Sequence, residues 1–225
     1  PFENQNVKIV IGNQTVYENF DQLNNAMHQV GILNIQIMVD YFATKQSEQN
    51  RSSVLKVMSL IQPIQKKYNC GIFTLDETKK FVQLQSIYEQ INAWQLETEK
   101  NDTQQDHSRI LRIIEKAAET SKNSKALTLC FIITDHQCQL DLKVVEDASN
   151  YPVFIIVFGI GNEKFGSLQN LNEYLNGKFE NYKFICFNEM EANSRSFENS
   201  DQAMTLALFG GLPELYQKLQ DLQII

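Results

Sequence analysis

Leu127-Thr128-Leu129-Cys130-Phe131-Ile132-Ile133-Thr134-Asp135 is the stretch on which the fold turns: it is apolar on almost every successive position and closes on an acid. A strand with one wet face alternates apolar and polar residues. One that stays apolar on consecutive residues is covered on both faces, which is the habit of parallel sheets flanked by helices. Two other runs read the same way. Ile35-Gln36-Ile37-Met38-Val39-Asp40 also ends on an aspartate, and Pro152-Val153-Phe154-Ile155-Ile156-Val157-Phe158-Gly159-Ile160-Gly161 ends on glycines. Side by side in one sheet, the first two bring Asp40 and Asp135 to a common edge. The carboxyl edge of the strands is where open α/β sheets place their ligands.

Working outward, residues 7–17 carry Gly12-Asn13 between two β-prone halves, which predicts a short hairpin. Phe20, Leu23, Met27 and Val30 recur at helical spacing, with Gly31 read as the helix stop. A polar turn over Thr44 to Arg51 precedes a helix from Ser53 to Lys67, which Pro63 should kink or end early. Cys70–Leu75 and Lys80–Leu84 read as two strands joined by a short antiparallel connection at the sheet's edge. A weaker helix (Ile87 to Leu96, with Trp94), a polar loop (Glu97 to Asp106) and a helix (Ser108 to Thr120) lead to the strand ending at Asp135. Helices over Gln139–Ser149 and Phe165–Leu175, a strand over Tyr182–Phe187, and helical residues 201–222 broken at Gly210-Gly211-Leu212-Pro213 complete the chain. Strands alternating with helices predict an α/β fold: a doubly wound, mostly parallel sheet with helices on both faces and one antiparallel edge strand.

With 225 residues, 43% of them hydrophobic, the chain can bury one large core. A formal net charge of -7 argues against nucleic acid, whose phosphates call for a dense Lys/Arg surface. No run approaches the roughly eighteen uninterrupted apolar residues of a membrane helix, so no direct membrane insertion is expected. Cys70, Cys130, Cys138 and Cys186 show no C-x-x-C pairing, and the two in strands read as small hydrophobes. The expected location is the reducing cytoplasm, including the cytoskeleton or another large assembly. The chain opens on Pro1 rather than Met, as expected of a trimmed piece of a longer protein.

The loop Asp40-Tyr41-Phe42-Ala43-Thr44 and the pair Thr134-Asp135 resemble the metal-ion-dependent adhesion site of the von Willebrand factor A (vWA) domain, in its copine-like branch. In that family a D-x-[ST]-x-S loop, a distant hydroxyl and a T-D-G turn hold a divalent metal. The resemblance implies metal-facing roles for Asp40, Thr44, Ser108 and Asp135. The strand after Asn150-Tyr151-Pro152, closing on Gly159-Ile160-Gly161, and the tail running from Tyr182-Lys183-Phe184 to Leu212-Pro213 and Tyr216 are similar to the copine-like ending. The helix from Tyr17 to Gly31 resembles the segment preceding the A domain of plant ubiquitin ligases that join a copine-like domain to a RING finger. The resemblance therefore divides the chain into residues 1–33, a hairpin and lead-in helix, and residues 34–225, the A domain.

Two departures weaken the implied site. Phe42 stands where the family places a metal-touching hydroxyl, and a benzyl group has no lone pair to give. His136 replaces the turn glycine, restricting the backbone there. Mg²⁺ is the cation the remaining oxygens would take, since it accepts near-octahedral oxygen coordination with several waters. The expectation is nevertheless a degenerate site with no resident cofactor. His107, His136 and Cys138 lack a motif that sets Cys-His or zinc geometry, and Gly159-x-Gly161 lacks the third Rossmann glycine, so no catalytic group is assigned.

The function so implied is a non-enzymatic protein-interaction module that meets protein partners at the carboxyl edge, as part of a multi-protein complex. Three alternatives stay open. The chain could be the substrate-recruiting domain of a ligase whose RING lies outside it, the A domain of a calcium-dependent membrane-binding copine, or a structural subunit of a larger assembly.

Overall fold

In the computed structural model, the residues described are 10–11, 14–15, 17, 20–31, 33–39, 48–68, 72–75, 81–84, 108–135, 142–162, 164–174 and 181–225. Strand β6 (Leu127–Thr134) lies between β3 (Leu33–Val39) and β7 (Val153–Gly159), parallel to both, with Val39 beside Ile133 and Ile133 beside Phe158. Every residue of β6 and β7 is buried, which is why their sequences never alternate. Strand β4 (Ile72–Leu75) runs parallel to β3, and β8 (Tyr182–Cys186) runs parallel to β7. At the far edge β5 (Phe81–Leu84) pairs antiparallel with β4. The order is β5-β4-β3-β6-β7-β8. The chain therefore winds outward from β3 to β5, returns to β6, and winds the other way to β8. The reversal falls between β3 and β6, which makes that gap the switch point at which such sheets bind. A separate pair, β1 (Val10–Ile11) and β2 (Gln14–Thr15), forms the expected antiparallel hairpin.

Strand residues send alternate side chains to two cores. On one face Ile35, Ile37, Leu129, Phe131, Ile133, Phe158 and Ile185 pack against five helices. These are α1 (Phe20–Met27), α2 (Glu48–Tyr68), α6 (Phe187–Ser194), α7 (Ser200–Phe209) and α8 (Leu212–Asp221). On the other face Met38, Cys130, Ile132, Ile155 and Val157 pack against α3 (Ser108–Ser124), α4 (Leu142–Ala148) and α5 (Ser167–Tyr174). Leu23 and Met27 of α1 belong to the first core, so the lead-in helix shares its apolar surface with the sheet.

Three local expectations are corrected. Helix α2 begins at Glu48, inside the expected polar turn, and continues through Pro63 to Tyr68. Proline removes the bond to the Ser59 carbonyl, yet Ser59 and Pro63 both lie on the wet side, where water can satisfy that oxygen. Leu60, Ile61 and Ile64 meanwhile hold the dry side against the core. Gly31 is not a left-handed helix stop; its missing side chain makes room for Tyr216, whose hydroxyl would collide with a Cβ there. Helix α6 was not foreseen at all, although Phe187, Met190 and Ser194 are buried at helical spacing. The expected helix at Ile87–Leu96 and the loop at Glu97–Asp106 lie outside the described residues.

Candidate functional site

The candidate site is built from the residues just beyond the carboxyl ends of the strands. Asp135 comes directly after β6 and is half-buried. Asn50, in the first turn of α2, donates from Nδ2 to its Oδ2 at 3.4 Å. After β7 the chain passes through Gly161, whose φ of 86° lies in the left-handed region that glycine tolerates best. A Cβ on Gly161 would sit 3.3 Å from Oδ1 of Asn50, so one asparagine lies against both loops. Beyond β8, Asn188 in the first turn of α6 donates from Nδ2 to the Gly161 carbonyl at 2.8 Å and to Oδ1 of Asn162 at 2.9 Å. Side-chain amides thereby bond Asp135 after β6 to the first turn of α2, and the turn after β7 to the first turn of α6, while Asn50 also lies close to Gly161.

Of the residues expected at the metal, Asp135 stands at this edge and Ser108 is the first residue of α3. Asp40, Phe42 and Thr44 lie outside the described residues, as do Cys70, Trp94, His107, His136 and Cys138. The described part of β3 ends at Val39, in register with Ile133 of β6. Among the described residues no three His, Cys, Asp or Glu side chains converge as a metal site. The one carboxylate of the expected set that is described accepts a hydrogen bond from an amide, and Phe42 offers no oxygen by its chemistry. The described donor set therefore does not by itself make a divalent-cation site.

Asn50 and Asn188 are the residues of this candidate edge that sequence reading missed. Each sits in the first turn of a helix that comes after a strand of the parallel sheet. Nothing but that position separates them from the many other amides of an Asn- and Gln-rich chain. Gly159, read as half of a G-x-G, has a packing role. A Cβ there would meet Phe165 and Phe184 at 2.6 and 2.7 Å, and those two rings pack with centroids 5.3 Å apart.

An open sheet wound both ways from a central switch is the architecture of a vWA-like domain. The copine family model matches residues 72–225, and the chain belongs to the copine family. The matched region contains Ser108 and Asp135 and begins downstream of Asp40 and Thr44. Copine family protein 2 of Caenorhabditis elegans is 23% identical over 117 residues, which is 50% of this chain and 2% of that relative's length. Two solved structures are similar at 11% identity and a TM-score of 0.48. Proximal thread matrix protein 1 from the mussel byssus aligns with 81% of this chain and 48% of its own. An aerotolerance-related membrane protein from Bacteroides fragilis, solved with multiple mutations to serine, aligns with 84% of this chain and all of its own. Among the described residues, no helix is long and apolar enough to cross a membrane.

Proposed function

We propose that this domain is a non-enzymatic protein-interaction module that meets a protein partner with the carboxyl edge of its sheet, over a degenerate metal site. The observation that carries the reading is the amide bracing of that edge. Asp135 accepts from Asn50, and Asn188 holds the Gly161 carbonyl, so loops that a cation would organise in an intact site are organised here by side chains. A surface fixed in this way offers a partner preformed donors and acceptors and loses little ordering entropy on binding. Family membership supports the same class of function. On this reading the chain is one recruiting part of a multi-protein assembly inside the cell, consistent with Cys130 and Cys186 being free thiols.

The test is a pull-down from native extract with the wild type and with an Asp40→Ala/Asp135→Ala double variant, both checked for an unchanged melting transition. Partners held by the wild type and lost by the double variant support the edge as the contact. An identical set of partners on both proteins removes the edge from the reading.

A further inference from the structure

At the opposite end of the sheet, α3 and α4 enclose a groove of about 290 Å³. Its floor is apolar: Ala118 of α3, Val144 and Ala148 of α4, and Tyr151, two residues ahead of β7. Its rim is predominantly acidic, with Glu115, Glu119 and Asp147 set against one cation, Lys122. The charges on that rim are not equally engaged. Glu119 is paired with Lys116 at 2.7 Å, and the ammonium of Lys122 lies 5.9 Å over the Tyr151 ring. Among the described residues Glu115 and Asp147 carry no ion pair, and both are exposed. An apolar floor beneath two carboxylates that hold no ion pair among the described residues, on a chain of net charge -7, is complementary to a cation carried beside an apolar group.

We propose that this groove is a second docking surface, separate from the carboxyl edge, and that it takes a protein segment presenting arginine or lysine next to an apolar side chain. The apolar side chain covers Val144, Ala148 and Tyr151, and the cation meets Glu115 and Asp147. An incoming aromatic or aliphatic group displaces the Lys122 ammonium from the Tyr151 face into water, where it stays solvated. The acidic rim rejects phosphates, so nucleic acid and anionic lipid are not occupants.

The probe is Nα-acetyl-Phe-Arg-amide, titrated into the isotopically labelled 225-residue chain, with Nα-acetyl-Phe-Gln-amide as its uncharged counterpart. Amide shifts should cluster on α3, α4 and Tyr151 and saturate in the millimolar range. Affinity should fall about five-fold or more with Glu115→Lys or Asp147→Lys, and also on raising salt well above about 0.1 M. Both positions are exposed, so the variants keep the wild-type melting transition. Asp135→Asn at the far edge should leave the titration unchanged, which separates this surface from the edge contact. Absence of saturable shifts, shifts that map elsewhere, or equal binding of the arginine and glutamine probes would overturn the proposal.

Discussion

The ammonium of Lys183, on β8, donates to the carbonyl of Leu208 at 3.2 Å and to that of Ala207, both in the last turn of α7. These are carbonyls that a helix end cannot satisfy internally, and a cation there also meets the negative end of the helix dipole. Burial nevertheless lowers the Lys183 pKa from 10.5 to about 7. The folded value lies below the unfolded one, so between about pH 7 and 10.5 the unfolded chain binds the extra proton, and this group makes stability rise with pH across that window. A neutral amine keeps two N–H donors for the carbonyls. Lys183→Met leaves both oxygens without that donor and should destabilise the fold by about 1–3 kcal/mol. The deficit should widen between roughly pH 6.5 and 9.5 in urea titrations. A deficit that shrinks as pH rises would show that the charged form is the one the site favours.

Gly159→Ala should be costly although it adds a single methyl. The new Cβ meets ring carbons of Phe165 and Phe184 inside 3 Å; Phe165 is buried, and Phe184 is partly buried against the same core. Overpacking of this kind costs about 1–3 kcal/mol, or a melting temperature lower by roughly 2–10 °C for a chain of this size. Gly211→Ala is the control, because nothing lies within 4 Å of the added methyl; its effect should stay under about 1 kcal/mol.

Gly161 and Asn50 should be coupled. Gly161→Ala strains a backbone with φ of 86° and places a methyl 3.3 Å from Oδ1 of Asn50. The expected loss is about 1–2 kcal/mol, part strain and part contact. In an Asn50→Ala background the contact part disappears and the strain part stays. A double-mutant cycle by denaturant unfolding should therefore return a coupling of about 0.5 kcal/mol or more. Strict additivity would show that the two loops are not braced through this side chain.

The sequence carried the sheet more fully than the edge. β6 and β7 were legible because strands buried on both faces have few polar positions to confuse the pattern, here only Thr128 and Thr134 of β6. β3 was legible despite Gln36, a fully buried residue whose Nε2 donates to Thr120 Oγ1 of α3 at 3.2 Å. The start of α2 was not, since Glu48 to Ser52 are polar and owe their helix to the apolar turns after them. α6 escaped because eight residues with two large apolar side chains give too little period to see. The candidate site was legible only where its residues carry charge. Asp135 ends an apolar run and announces itself, whereas Asn50 and Asn188 gain meaning from which loops they touch, a relation that spans 85 residues for Asn50 and 27 for Asn188.

Added Mg²⁺ should do little to stability on the proposed reading. A ligand that binds only the folded state adds RT ln(1 + [L]/Kd), about 2.7 kcal/mol at a hundred-fold excess over Kd, so an intact site would show a rise of several degrees. With Phe42 in place of a hydroxyl ligand and Asp135 engaged by Asn50, millimolar Mg²⁺ should move the melting temperature by less than about 1 °C. The same titration on Asp40→Ala should be equally flat. A clear rise in the wild type that vanishes in Asp40→Ala would mean that the cation displaces the Asn50 amide from Asp135 and that the edge works as a metal site after all.

At the centre of the sheet, Phe131 has no exposed surface, stacks on Phe158 with centroids 6.4 Å apart, and meets Phe209 of α7 edge-on at 6.3 Å. It therefore fastens β6 both to its neighbour β7 and to the C-terminal helices. Phe131→Ala empties a site bounded by two other rings that cannot collapse without moving a strand or a helix, so the loss should fall in the upper part of the usual range, about 3–5 kcal/mol. Phe131→Leu keeps most of the volume and should cost less than about 2 kcal/mol. Because Asp135 directly follows β6, the alanine variant should loosen the edge. Amide exchange at Asp135 and Gly161 should quicken with it, and should stay at the wild-type rate if the core and the carboxyl edge are mechanically independent.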